Sequence, residues 1–132
     1  MNKQFSCRVY YEDTDCGGVV YYANYLRFFE RARSEYLRQA GIYQQQLAKD
    51  EGIIFVVKSC NIIYHYPARL DDLLTITSQI VEFKQASITM NQQITINDSK
   101  IASLNVLLAC IDKATFKPRR LPLIITSLNT IT

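Results

Sequence analysis

The spacing of apolar residues predicts one amphipathic helix over residues 24–40. Aromatic and alanine side chains recur there every three or four positions, and arginines and glutamates occupy the other side. Asn24 is placed to cap the first turn, and Gly41 follows the last one, where glycine commonly ends a helix. On the polar side, Arg31 and Glu35 stand four residues apart, and we expect them to form a weak ion pair.

A β-rich pattern predicts five strands in the rest of the chain. These strands are residues 7–11, 53–67, 73–83, 87–97 and 101–112. In the fourth strand, Ile88, Met90, Ile94 and Ile96 share one side and polar residues fill the other, which is typical of a strand with one buried face. A turn of Asn97, Asp98 and Ser99 follows it.

These elements together indicate an α+β fold. Short connections join the last four strands and favour antiparallel pairing, and the apolar side of the helix must be buried against the sheet. We therefore predict a five-stranded antiparallel sheet wrapped around one long central helix. The length of 132 residues, of which 48% are hydrophobic, predicts a single domain over residues 1–132 with a substantial core.

Composition argues against several classes of function. Fifteen Lys and Arg against twelve Asp and Glu give a net charge of +3, too small to indicate nucleic-acid binding. No apolar run is long enough for a membrane span, and the first residues lack the apolar region of a secretory signal. The four scattered cysteines and single histidine predict no metal site and favour a reducing, cytoplasmic environment.

The stretch YEDTDCGGVVYYANY, residues 11–25, has the most unusual chemistry in the chain. It places Glu12, Asp13 and Asp15 before two glycines and the predicted helix start. Carboxylates are also common at helix starts for electrostatic reasons alone. However, the neighbouring apolar run is expected to desolvate a carboxylate, and the free N–H groups of a helix start can stabilise an oxyanion. The stretch is therefore a candidate site for attack on a carbonyl.

Other nucleophiles fit less well. The chain has no GxSxG motif, which argues against a serine hydrolase. Cys16 follows Asp13 and Asp15, which disfavour a thiolate, and its possible histidine partner, His65, falls within a predicted strand. We interpret both residues as structural.

The stretch RVYYEDTDCGGVVYYANYLRFFERAR, residues 8–33, resembles the hotdog-fold acyl-CoA thioesterases of the 4-hydroxybenzoyl-CoA thioesterase class. Within that class it is most similar to the YbgC group, which is associated in bacteria with the Tol–Pal gene cluster. FVVKSCNIIYHYPARLDD and DKATFKPRRLP extend the resemblance over nearly the whole chain. The residues that stand in the family's order and spacing are Asp15, Gly18, Tyr21, Asn24 and Tyr25.

The resemblance implies roles for several residues in and around the motif. The catalytic carboxylate falls on Asp15, the backbone N–H that polarises the thioester carbonyl on Tyr22, and a tyrosine near the site on Tyr11. Gly18, Tyr21 and Asn24 are implied to bind substrate. Many YbgC-type sequences have histidine at the position of Tyr22, and this exchange leaves a backbone role intact but removes a side-chain base.

The implied reaction is hydrolysis of acyl-CoA, with coenzyme A as part of the substrate and no further cofactor. Asp15 either activates water or attacks the thioester to give a mixed anhydride. We expect cations to meet the phosphates of coenzyme A, and the candidates are Lys58, Arg69, Lys84, Arg119 and Arg120. The resemblance also implies a homodimer or homotetramer with sites between subunits.

Two other functions remain open from the sequence. One is hydrolysis of thioesters on acyl carrier protein, which carries the same phosphopantetheine arm. The other is a non-catalytic hotdog domain that binds an acyl thioester or acts as a scaffold. Loss of the catalytic carboxylate would favour this second alternative, and Asp15 is present.

Overall fold

The computed structural model describes residues 3–130, so both ends of the predicted domain 1–132 lie outside the described residues. In chain order the elements are β1 (Lys3–Arg8), α1 (Asn24–Gln39), α2 (Gln44–Glu51), β2 (Ile53–Tyr64), β3 (Leu73–Phe83), β4 (Ser87–Ile96), β5 (Ser99–Asp112) and α3 (Leu123–Thr126). Short 3-10 turns occupy Tyr11–Asp13 and Ser127–Thr130.

The five strands form one antiparallel sheet in the order β1-β3-β4-β5-β2. This confirms the predicted α+β class and the five-stranded antiparallel sheet. The alternation of β3, β4 and β5 turns their apolar residues to one side, where α1 packs. The other side of the sheet carries mostly neutral polar residues.

Helix α1 buries its aromatic face and begins at its predicted position. The residues buried on this helix are Tyr25, Phe28, Phe29, Ala32, Tyr36 and Leu37. Asn24 is the first helical residue and not the cap, since Ala23 precedes the helix without a capping side chain. Gly41, at φ +81°, ends it in the left-handed conformation that glycine favours.

The predicted single long helix is not confirmed, because the described chain contains three α-helices of 16, 8 and 4 residues. The first strand also differs: it ends at Arg8, and Tyr11 belongs to a 3-10 turn. The predicted pair of Arg31 with Glu35 is wrong, since Glu35 contacts Arg38 at 3.4 Å.

Strand β2 is an edge of the sheet and is uncovered over much of its length. From Val57 to Asn61 every side chain is exposed, on both faces. Edge strands of this length present unpaired N–H and C=O groups, which usually need protection. Helix α1 packs mainly against β1 and β3, toward the opposite edge of the sheet, so it leaves most of β2 uncovered.

Candidate active site

A small hairpin holds the acidic stretch in place before α1. The Asp15 N–H donates to the Val19 carbonyl at 3.0 Å, and the Gly18 N–H donates to the Asp15 carbonyl at 3.1 Å. Gly18 has φ +80°, a conformation that a residue with a side chain adopts only with strain. The two glycines therefore allow the chain to reverse directly after Asp15.

The carboxylate of Asp15 is oriented by its own turn. Its Oδ1 accepts a hydrogen bond from the Gly17 N–H at 2.8 Å. A Cβ at position 17 would lie 3.2 Å from the same oxygen, so the glycine also makes room for the carboxylate. Asp15 is exposed, and the desolvation that we predicted for it is not supplied by the single chain.

Two backbone N–H groups are free between this hairpin and α1. The Tyr21 N–H donates to the Asp13 carbonyl at 3.0 Å, and the Asn24 N–H donates to the Tyr21 carbonyl at 2.8 Å. Within residues 3–130, the intervening N–H groups of Tyr22 and Ala23 have no hydrogen-bond acceptor. Free N–H groups before a helix are suited to bind a negatively charged oxygen.

Asn24 and Asp13 connect the hairpin to the helix. The Asn24 side-chain Nδ2 donates to the Asp13 carbonyl at 2.9 Å, and the Asp13 Oδ2 accepts from the Tyr10 N–H at 2.9 Å. The amide group predicted to bind substrate is therefore already engaged within the chain. Asn24 contributes by positioning the segment that contains Tyr22.

An aromatic cleft of about 270 Å³ opens beside Tyr22. Its lining residues are Val20, Tyr22, Tyr25, Tyr64, His65, Tyr66 and Pro67. Larger clefts lie on the outer face of the sheet and between α1 and α2, but Asp15 and Tyr22 line neither of them. The cleft beside Tyr22 therefore joins apolar surface to the segment with the free N–H groups, although Asp15 does not line it.

Tyr64 was not identified from the sequence as a site residue, yet it contacts the site directly. Its hydroxyl donates to the Tyr22 carbonyl at 3.2 Å, and its ring packs edge-on against Tyr22 and Tyr25. Burial raises the pKa of Tyr64, and the neighbouring phenols of Tyr22 and Tyr25 add to the shift. The two partners are 42 residues apart in sequence, so no local motif indicates the contact.

The predicted motif residues lie together, whereas the predicted cations do not. Tyr11, Gly18 and Tyr21 belong to the hairpin and its flanks, and Arg69 pairs with Val19 beside them. Lys58 is exposed on β2. The remaining cations, Lys84, Arg119 and Arg120, lie at the opposite end of the sheet.

Two of those distant cations already have acidic partners. Arg119 donates to Asp112 Oδ2 at 2.9 Å. Hydrogen bonds from the N–H groups of Thr115 and Ala114 lower the pKa of Asp112, and Arg119 adds to this effect. Lys84 contacts Glu82 at 3.8 Å.

The cysteines and the histidine take no part in a recognisable catalytic cluster. The His65 Nε2 lies 3.0 Å from Ser103 Oγ, and burial raises the pKa of the Cys7 and Cys110 thiols. Within residues 3–130, no group of three His, Cys, Asp or Glu side chains could hold a metal ion. None of the described helices is long and apolar enough to cross a membrane.

Comparison with known proteins decides the family. The sequence profile of the thioesterase-like superfamily matches residues 9–126. The chain belongs to the thioesterase-like superfamily. It is 47% identical over 118 residues to the acyl-CoA thioesterase YbgC of Haemophilus influenzae, covering 89% of this chain and 87% of that protein.

Other members of this superfamily match over a similar length. The acyl-CoA thioester hydrolase YbgC of Escherichia coli O6:H1 is 45% identical over 116 residues, covering 87% of this chain and 86% of that protein. The crystal structure of a probable thioesterase from Bartonella henselae superposes with a TM-score of 0.89 at 43% identity, covering 92% of this chain and all of that one. The family resemblance read from residues 8–33 is thus confirmed.

Proposed function

We propose that this protein is a thioesterase that hydrolyses acyl-CoA to a free acid and coenzyme A. One observation carries the proposal. Within the described chain, one short segment contains both the oriented Asp15 carboxylate and the free N–H groups of Tyr22 and Ala23. Its similarity to proteins named acyl-CoA thioesterases supports acyl-CoA as the substrate class. Hydrolysis needs no cofactor beyond the coenzyme A of the substrate.

Asp15 and the free N–H groups divide the chemistry between them. Asp15 removes a proton from an attacking water, or attacks the thioester carbonyl itself to give a mixed anhydride that water then hydrolyses. In either case the carbonyl oxygen becomes negatively charged, and the N–H groups of Tyr22 and Ala23 stabilise it. The carbon–sulfur bond then breaks and the thiolate of coenzyme A leaves. The Tyr22 side chain supplies no proton transfer.

The hairpin and its surroundings position the substrate. Gly18, Tyr21 and Tyr11 are exposed around Asp15 and contact the substrate there. The aromatic cleft receives the beginning of the acyl group, and Arg69, which pairs with Val19, supplies a cation beside the hairpin. In this arrangement α1 is the central helix of a hotdog fold.

The active form is a homodimer or a homotetramer in which subunits share the site. Asp15 is exposed and the cleft is shallow, whereas a binding site must enclose most of its ligand. Antiparallel pairing of β2 with β2 of a second copy would protect both edges. This pairing would also place the distant end of the second copy's sheet, which carries Lys84, Arg119 and Arg120, next to the candidate site of the first copy.

Replacement of Asp15 tests the proposed function. Asp15→Asn keeps the shape of the side chain and removes its basicity, so we expect kcat for acyl-CoA hydrolysis to fall about 10²- to 10⁴-fold. Asp50→Asn, an exposed aspartate on α2, is the matched control and should retain full activity. Release of free coenzyme A from a panel of acyl-CoAs provides the measurement, and thermal unfolding verifies the fold.

The same assay separates the alternatives. Near-normal kcat in Asp15→Asn would contradict the assignment of this carboxylate. Hydrolysis of acyl carrier protein thioesters, without hydrolysis of acyl-CoA, would show that the substrate is carried by acyl carrier protein. The proposed mechanism would still apply. Absence of hydrolysis with both carriers would refute the thioesterase function.

A further inference from the structure

A polar cluster lies under α1, within an otherwise apolar interface. Gln92 on β4 is only 2% exposed. Its Nε2 donates to the Phe29 carbonyl at 3.0 Å and contacts Ser78 Oγ at 2.9 Å, and its Oε1 accepts from Arg33 Nη1 at 3.2 Å. Because the amide nitrogen is fixed by two partners, the amide oxygen must face Arg33. Gln92 thereby holds the Arg33 side chain in one position.

Arg33 is a partly buried cation without an acidic partner. Among the described residues, no carboxylate lies within ion-pair distance of its guanidinium. Burial lowers the pKa of Arg33, while Glu30 and Cys60 act in the opposite direction. A guanidinium has five N–H donors, and a half-buried one with few contacts favours an anionic or polar partner.

Arg33 faces the uncovered edge of the sheet. Leu26 and Arg33 are seven residues apart and therefore lie on the same flank of α1. On that flank the inner face of β2 presents Tyr64, Ile62 and Cys60, opposite Ala102, Leu104 and Val106 of β5. Leu26 is 42% exposed and Tyr64 is 43% exposed, so this surface is open in the single chain. We name Leu26, Ile62, Cys60 and Tyr64 the acyl strip.

The acyl strip continues from the proposed reaction centre to Arg33. Tyr64 touches Tyr22 at one end, and Cys60 lies near Arg33 at the other. Arg33 lies nine positions after Asn24, the first residue of α1, a distance of about 13.5 Å along the helix, or roughly an extended ten-carbon chain. An acyl group bound along the strip would reach the guanidinium with its far end.

We infer that Arg33 is a specificity-determining residue that contacts the far end of the acyl group. This inference rests on the proposed thioesterase function. A longer apolar chain must displace water from the guanidinium without replacing its hydrogen bonds, which disfavours binding. A terminal carboxylate of matching length instead accepts hydrogen bonds from the free donors. The site therefore favours acyl groups of medium length, and among these the ones that end in a carboxylate.

Substitution of Arg33 tests the inference. The substrates are acyl-CoAs whose acyl chains have about four to sixteen carbons, and one acyl-CoA whose chain of about ten carbons ends in a carboxylate. In Arg33→Met we expect kcat/KM to rise about tenfold for the longest chains and to fall about tenfold for the carboxylate-ended substrate. Arg33→Lys keeps the charge, so this variant should retain the preference for acyl chains of medium length. Arg31→Met, on the opposite flank of α1, should leave the profile unchanged.

Binding measured without turnover separates this inference from the proposed function. In an Asp15→Asn background, the same Arg33 exchange should shift the dissociation constants for these acyl-CoAs in the same direction. Such a shift without hydrolysis by the wild type would support the role of Arg33 and refute the thioesterase function. An unchanged length profile in a folded Arg33→Met, in both kcat/KM and binding, would overturn the inference.

Discussion

Tyr64 connects the edge strand β2 to the segment that carries the free N–H groups. Its hydroxyl donates to the carbonyl oxygen of Tyr22, which belongs to the same peptide unit as the N–H of Ala23. The hydrogen bond therefore fixes the direction in which that N–H points. Because burial raises the pKa of Tyr64 above its ordinary value of 10.0, the phenol remains protonated and able to donate at neutral pH.

At the scale of single residues, we predict that Tyr64→Phe lowers kcat about tenfold, with little change in KM. The substitution keeps the ring and removes only the hydroxyl, so the oxyanion donors lose orientation but the cleft persists. Tyr66→Phe, in the same cleft, is the control and should be neutral. Steady-state kinetics and thermal unfolding provide the readouts. A fall in melting temperature with unchanged kcat would assign Tyr64 a structural role only.

Among the elements, β4 shows how one polar residue is accommodated on a buried face. Its inward side presents Ile88, Met90 and Ile94 together with Gln92, and α1 lies over them. A buried amide is tolerated because each of its polar atoms has a partner, and the three partners lie on two other elements. Gln92 thus joins β4 to α1 and to β3 through hydrogen bonds.

We predict that Gln92→Leu lowers the free energy of unfolding by about 1–3 kcal/mol. The apolar side chain leaves the buried Ser78 hydroxyl and the Arg33 guanidinium without this partner. Gln79→Leu is the control, since Gln79 lies exposed on the other face of the sheet, and it should change stability little. Urea denaturation compares the two variants. Equal stability of both would mean that apolar packing compensates for the lost hydrogen bonds.

Elements with a strong repeating pattern could be predicted from the sequence, and weakly patterned ones could not. β3 was predicted with its observed bounds, because alternating residues run between clear turn signals. α2 was missed because Leu47 is its only buried residue, and a single apolar position gives no helical period. β1 was placed too late because its alternation continues past Arg8 into the 3-10 turn.

The same distinction applies to the candidate site. Asp15, Gly18 and Tyr22 lie within eight consecutive residues, so a local motif was sufficient to bring them together. Tyr64 contacts Tyr22, 42 residues away, and Gln92 contacts Arg33 and Phe29, which are 59 and 63 residues away. Gln92 occupies a position where the pattern predicted an apolar side chain, and its hydrogen bonds to Phe29, Ser78 and Arg33 explain it. Such long-range pairs leave no local signal in one sequence.

For the whole molecule we predict a dimer or larger assembly that loses specific activity on dissociation. The exposed edge β2 and the open site of the single chain both require a second subunit for protection. Sedimentation and activity should be measured across one dilution series, with inert carrier protein present to prevent surface losses. A monomer with full specific activity would rule out the shared site.

The order of the strands also has a consequence for how the chain folds during synthesis. Both edge strands pair with strands that are synthesised much later. β1 pairs with β3, and β2 pairs with β5, which is synthesised only after β3 and β4. The neighbours β3, β4 and β5 meet through short turns, whereas the edges require closure of long loops, which is slow. Pulsed hydrogen exchange during refolding should therefore protect β3–β5 before β2. On the ribosome, the strand that later forms the assembly edge is thus the one left longest without a partner.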